Sequence, residues 1–219
     1  MRIHNRVNSY VNMKNPSPFF ASLIVILALL GWAAPAFAAS TQEAGAFIER
    51  VGTQTVNILK SPADKPHKQA ALAGIFVANV DFPWVARFVM GRYWREASEE
   101  QKQRYVFQYQ RFLVRHYAVL FSDYNGGKFK ILFARDEGDD EYSVGMQVQA
   151  DDSTGEPVMI EYKVRKENGG FKIFDVLIEG VSMLTTQRSE FSAVLGNNSI
   201  DYLIDMLQKK ADAPAVKKS

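Results

Sequence analysis

The segment Phe171–Glu179, FKIFDVLIE, restricts the fold more than any other part of this 219-residue chain. Aromatic and β-branched residues dominate it, and glycines bound it at Gly169, Gly170 and Gly180, so it reads as a β-strand. Strict alternation directs Phe171, Ile173 and Leu177 to one side and Phe174, Val176 and Ile178 to the other. A strand that is apolar on both faces needs cover on both faces. The protein's own core can supply one cover. The other side is open to being the wall of a space that the protein encloses. A tight break at Gly180 then leads into a helix over Ser182–Leu195.

Upstream, hydrophobic periodicity changes from helical to strand-like near Asn125-Gly126-Gly127. Before that point helices are expected over Ala44–Lys60, from Pro66 through Val77, from Asp81 to Gly91, and from Ser98 onward. Asp81 and Ser98 suit N-caps, Pro66 and Pro83 suit first turns, and Ser98-Glu99-Glu100-Gln101 has the form of a capping box. The long fourth helix carries an aromatic stripe of Tyr105, Tyr109, Phe112, Leu113, Tyr117, Leu120 and Phe121. Such a stripe suits a helix packed on a sheet; part of it would equally suit a cavity wall.

After the glycines, strands are expected at about Lys128–Arg135, Glu141–Ala150 and Pro157–Lys166, with turns at residues 151–155 and 168–170. Tyr142, Val144, Met146 and Val148 share one face of the second strand, and Val158, Ile160, Tyr162 and Val164 one face of the third. A last helix follows at Ser199–Lys210. The expected class is therefore α+β: a curved antiparallel sheet of four strands, or five, wrapped by about six to seven helices. Such a sheet can wrap a helical layer and leave a cone between them.

The N-terminus has a basic start (Arg2, Arg6, Lys14), an apolar run from Phe19 to Ala34, and an A-x-A motif at Ala36-Phe37-Ala38. It reads as a secretory signal peptide over residues 1–38; a transmembrane anchor is the competing reading, with a run somewhat short for ~30 Å of hydrocarbon. Residues 39–210 then form a single domain, and residues 211–219 a loose polar tail. Without the leader Lys+Arg falls from 26 to 23 against 24 acids, so the net charge moves from +2 to −1. That balance argues against a nucleic-acid partner, which needs a clustered basic face.

Motifs for chemistry are sparse. The absence of cysteine excludes disulfides, thiol catalysis and thiolate metal sites. Outside the leader only His67 and His116 remain, and neither sits in a metal-ligand pattern. Gly180-Val181-Ser182 begins like a nucleophile elbow but has Leu184 where the second glycine belongs, so Ser182 reads as a helix cap. No glycine-rich phosphate loop is present and no cofactor is implied. Asp175 and Glu179 interrupt the apolar strand. Asp175 is expected to pair with a helix arginine (Arg87, Arg92 or Arg188) and Glu179 to tie down the Gly180 turn; an acid–base role for either, acting on a small apolar substrate, is the enzymatic alternative.

Two long blocks, Val80–Lys102 (VDFPWVARFVMGRYWREASEEQK) and Tyr162–Phe191 (from YKVR through FKIFDVLIEGVSMLTTQRSEF), resemble the MlaC / toluene-tolerance family of periplasmic phospholipid-binding shuttles. The likeness covers roughly residues 41–210, with Phe171 where Trp is common in the family. It implies a helical subdomain on a sheet like that of the nuclear-transport-factor-like cones, and a non-enzymatic carrier that encloses acyl chains. It implies as partners phospholipid, an inner-membrane ABC-type lipid transporter complex and an outer-membrane lipoprotein/porin complex, the whole maintaining outer-membrane lipid asymmetry.

On that view the lining candidates on the sheet are Val144, Met146, Val148, Ile160, Tyr162, Val164, Phe174, Val176 and Ile178. Those on the helices are Phe82, Val85, Phe88, Val89, Phe112, Tyr117 and Phe121, with Val181, Met183, Leu184 and Phe191 at the mouth. Arg165 and Arg188 are the cations available to a phosphate headgroup, solvated arginines being the ordinary alternative. Burying each methylene contributes ~0.8 kcal/mol, so two chains of about 15 carbons gross more than ~20 kcal/mol before ordering costs. The space between sheet and helices is accordingly expected to be hollow.

Overall fold

Every α-helix of the domain after the first starts where a short polar side chain satisfies free backbone N–H groups. The computed structural model describes residues 34–122, 127–150 and 156–213. Most of the expected signal peptide, Phe121, the whole 151–155 turn and residues 214–219 therefore lie outside the described side chains. Contacts divide the chain into Met1–Ala38 and Ala39–Ser219, and the second unit holds the domain.

Helix α1 runs from Ala34 to Lys60, ten residues earlier than the expected start at Ala44. Alanine-rich sequence sustains it, and Pro35 falls in the first turn, where its missing N–H does no harm. Helix α2 (Lys65–Asn79) is capped by Asp64, and α3 (Phe82–Met90) by Asp81, which accepts from Trp84 N at 3.1 Å. Gly91 ends α3 at φ +59° and opens a 3₁₀ turn over Gly91–Arg95. The Ser98 capping box forms as expected: Ser98 Oγ accepts from Gln101 N at 3.1 Å and Gln101 Oε1 from Ser98 N at 3.0 Å. It starts α4, Glu99–Ser122.

Strands β1 (Gly127–Gly138), β2 (Glu141–Ala150), β3 (Val158–Glu167), β4 (Gly170–Ile178) and β5 (Val181–Ser182) follow. They form one antiparallel meander in the order β1-β2-β3-β4-β5. Asn168 and Gly169, at φ +48° and +79°, make the β3–β4 turn in the left-handed conformation that tight hairpins require. Helices α5 (Met183–Leu195) and α6 (Ile200–Asp212) close the chain, capped by Ser182 and Ser199. The described residues thus hold six α-helices and five strands, an α+β arrangement.

Two bulges correct the strict alternation read from sequence. Val164 pairs with Ile173 and Lys163 with Asp175, which leaves Phe174 unpaired as the extra residue of β4. Ile173, Val176 and Ile178 therefore share one face with Phe171, and Phe174 turns out of it; the expected split of Ile173 from Val176 does not hold. Leu132 is the extra residue in β1. The resulting face carries a row in register across all five strands: Ile131, Met146, Ile160, Ile178 and Val181.

Helix α1 covers this face. Ala44, Phe47 and Ile48 bury themselves against Tyr142, Val144, Met146, Val164 and Ile173. The approach is close because α1 turns glycines toward β1: a methyl on Gly52 would lie 3.0 Å from the Phe129 ring. The opposite face is polar, with Lys163, Ser143, Glu137 and Glu161 in one hydrogen-bonded network. There the Phe133 ring occupies the space beside Gly145, only 2.2 Å from where a methyl would be.

A second apolar cluster lies among α3, α4, α5 and α6. Tyr105 and Tyr109 stack at 5.6 Å, and Phe191 meets both edge-on. Arg104–Asp201 (2.9 Å) and Arg111–Asp212 (2.6 Å) fasten α4 to α6 on the outside. Sheet and helical cluster meet along β4. Asp81 N donates to Ile173 O at 2.9 Å, Val80 bridges Ile173, and Lys172 Nζ donates to Ala78 O at 2.6 Å.

Candidate functional site

The two clusters meet at Val80, and an apolar space opens beside it. A pocket of about 80 Å³ opens between β4 and helices α2 to α5. Helix α4 supplies Tyr109, Leu113 and Tyr117, spaced four residues apart and so stacked on one face. Helix α3 and the residues before it supply Val80, Phe82 and Val85; α2 supplies Phe76, which stacks on Tyr117 at 5.7 Å. The β4 bulge presents Ile173, Phe174, Asp175 and Val176 in succession, an arrangement that regular alternation would not give. Leu184 and Gln187 of α5 complete the wall. A larger depression of about 470 Å³ along α6 is open, and its lining side chains are Asp205, Gln208, Lys209, Asp212 and Ala213, with no large apolar one among them.

Few polar groups enter the pocket, and the described ones are partnered. Tyr109 Oη donates to Gln187 Oε1, joining α4 to α5 across it. Burial, with some contribution from the Asp175 carboxylate, holds the phenols of Tyr109 and Tyr117 above the ordinary tyrosine range, so both remain neutral donors at neutral pH. Asp175 is paired not with an arginine, as expected, but with the start of α5. Its Oδ2 accepts from Ser182 Oγ at 2.6 Å, and its Oδ1 from Leu184 N at 3.0 Å and Val176 N at 2.7 Å. A strand carboxylate facing four free amide groups of a helix start is a favourable partner. Glu179 does tie its turn: its carboxylate accepts from Met159 N at 2.6 Å. His116 packs between the rings of Phe112 and Tyr117, and His67 is exposed beside Asp64.

Of the expected lining residues, the structure brings Phe82, Val85, Tyr117, Phe174, Val176 and Leu184 together in this pocket. It places Val144, Met146, Val148, Ile160, Tyr162 and Val164 elsewhere, against α1. There burial pushes the Tyr162 phenol up to about 12. Val89 and Phe191 are core of the helical cluster, and Phe88 and Phe112 pack on its outside. Ile178 and Val181 lie at the open end of the sheet, and half-buried Met183 opens α5. Phe121 falls outside the described side chains. The hollow cone expected between sheet and helices is thus largely filled, because α1 occupies the sheet's apolar face.

Sequence reasoning passes over Phe76, Val80, Ile173 and Gln187 as wall residues, and uses Tyr109 and Leu113 only as stripe members. The four-residue spacing of Tyr109, Leu113 and Tyr117 is the available signal; Val80 and Gln187 carry none. The two arginines nominated for a phosphate differ sharply. Arg165 lies 4.6 Å from the Trp84 ring and 4.8 Å from Phe174, and contacts Glu141 at 2.7 Å, Glu167 at 3.8 Å and Asp81 at 4.0 Å. It is a neutralised strut between β3 and α3. Arg188 lies 4.7 Å over the Phe88 ring.

A family model described as MlaC protein matches residues 49–209. The intermembrane phospholipid transport system binding protein MlaC of Haemophilus influenzae is 26% identical over 163 residues, which cover 73% of this chain and 76% of that one. The toluene tolerance protein ttg2D of Pseudomonas putida is 27% identical over 138 residues, 62% of this chain and 63% of that one. Among solved structures, the phospholipid-binding protein from Ralstonia solanacearum, in complex with a phospholipid, superposes with a TM-score of 0.67 at 23% identity, over 77% of this chain and 97% of that one. That likeness is one of fold.

Proposed function

This chain belongs to the MlaC family, and we propose that it is a periplasmic phospholipid carrier that takes acyl chains into the cleft between β4 and the helices and leaves the headgroup in solvent. A leader ending at Ala38 directs it to the periplasm. There it exchanges lipid with an inner-membrane ABC-type transporter complex and an outer-membrane lipoprotein/porin complex, in the service of outer-membrane lipid asymmetry. No helix among the described residues is long and apolar enough to cross a membrane.

The observation that carries this reading is the pocket, whose wall is apolar except for a few mutually bonded groups. At about 80 Å³ it is well below the range of roughly 300–1,000 Å³ usual for ligand sites, so loading requires its walls to part. Its wall joins Phe82, Val85, Tyr109, Leu113 and Leu184 of the helical cluster to Ile173 and Val176 of the sheet cluster. Widening the cleft parts some contacts of the helical cluster, and each methylene that enters returns ~0.8 kcal/mol. Release then needs a partner that favours the closed state. The acid–base alternative has less support, since the Asp175 oxygens already accept from three donors. Organic extraction of the purified protein followed by mass spectrometry tests the proposal. Co-purified phospholipid is expected; a protein that arrives empty and takes up no lipid from vesicles refutes it.

A further inference from the structure

Resting on the carrier reading, we infer that Arg188, stacked on Phe88 beside the backbone of Gly91, is the seat for the phosphate of the bound lipid. Three features set this guanidinium apart. It is half-buried, yet among the described residues it has no carboxylate within ion-pairing distance; of the other half-buried arginines, Arg111 and Arg165 each have one and Arg115 donates to the Ala213 carbonyl. It is held in one orientation: the Phe88 ring supports one side, and Gly91, at φ +59°, brings bare backbone alongside, so that a methyl there would sit 3.3 Å from Nη2 and 3.4 Å from Nε. And it is one helical turn beyond Leu184 on the same face of α5, directly after Gln187, both of which line the pocket.

A planar, permanently charged fork that is pre-oriented and unpaired matches phosphate oxygens, which it can bind through two parallel N–H donors. The neighbouring surface agrees in sign. Arg87 of α3 and Arg92 and Arg95 of the 3₁₀ turn are exposed close by in the chain, and the acids nearest in sequence, Glu96 and Glu190, are exposed. Glu190 follows Arg188 by two residues and projects from a different side of α5. Chains in the cleft and phosphate on Arg188 would place the headgroup at the α3–α5 seam, in solvent.

The test compares wild type, Arg188→Gln and Arg188→Lys for uptake from vesicles doped either with phosphatidylglycerol or with a diacylglycerol of the same chains, alongside calorimetry with inorganic phosphate. Loss of one charge-assisted hydrogen-bond pair predicts roughly a tenfold fall in phosphatidylglycerol uptake for Arg188→Gln, a smaller one for Arg188→Lys, and no change for diacylglycerol. Equal losses for both lipids, or none for phosphatidylglycerol, overturn the assignment while leaving the carrier intact. Saturable inorganic phosphate binding that disappears in Arg188→Gln, with phosphatidylglycerol uptake unaltered, overturns it in favour of a free-phosphate site. A wild type that takes up neither lipid overturns the carrier reading and this inference with it.

Discussion

Replacing Asp175 with alanine should unfasten the start of α5. Three donors lose their acceptor: Ser182 Oγ at 2.6 Å, Leu184 N at 3.0 Å and Val176 N at 2.7 Å. The first two belong to the helix start, and the Leu184 amide is one that no intrahelical carbonyl can satisfy. Hydrogen bonds to a charged acceptor contribute ~1.5–3 kcal/mol each, and loss of an N-cap costs ~0.5–2 kcal/mol. Asp175 is half-buried and Ser182 still caps Thr185 N, so the lower ends apply, giving about 2–4 kcal/mol in total. For a domain of this size that lowers Tm by about 5–15 °C. Asp175→Asn retains an acceptor and gives up the charge, so it should fall roughly midway. Thermal unfolding followed by circular dichroism at neutral pH reads all three proteins. A drop smaller than about 2 °C for the alanine variant would refute the capping role and return Asp175 to the groups available for chemistry.

Three more outcomes are expected. Leu113→Trp should fill the pocket and sharply reduce extractable phospholipid in a protein that remains folded, whereas Val148→Trp, beneath α1, should lower Tm without a selective loss of lipid; extraction with mass spectrometry beside thermal unfolding separates the two. Hydrogen bonds from Ser143 and from Lys163 hold the carboxyls of Glu137 and Glu161, respectively, below the usual range. Their folded values are depressed, so their stabilisation is complete above the unfolded value of about 4.5 and is lost as pH falls through the folded values; urea midpoints should decline below that pH, and less steeply in the double Gln variant. Gly145→Ala drives a methyl into the Phe133 ring and should cost about 1–3 kcal/mol, read as a lower urea midpoint at unchanged slope.

Local signals are legible in the sequence wherever one residue makes its own structure. Asp81, Ser98, Ser182 and Ser199 cap the helices they precede, and Asn168-Gly169 turns the hairpin that its residue types predict. The resemblance drawn from Val80–Lys102 and Tyr162–Phe191 likewise leads to the family that the matching model names. Alternation fails where a bulge intervenes. Nothing in FKIFDVLIE marks Phe174 as the extra residue, because that choice depends on how β3 and the Asp81 start of α3 seat themselves against β4. The pocket escapes a sequence reading for a similar reason. The apolar face of β2 is largely buried and that of β3 partly so, with Val158 exposed, but periodicity does not say what covers them, and α1 rather than a ligand does.

From β2 outward, the row that crosses the sheet becomes steadily more accessible, from 5% at Met146 to 37% at Ile178 and 54% at Val181. A greasy border of that kind ordinarily invites another chain to add a strand and seed aggregates. Here β5 stops after two residues and its last one, Ser182, is already turned into the start of α5. So short a ladder offers an intruder almost no backbone partners, and the domain can leave hydrophobic side chains at its margin without presenting a template for polymerisation.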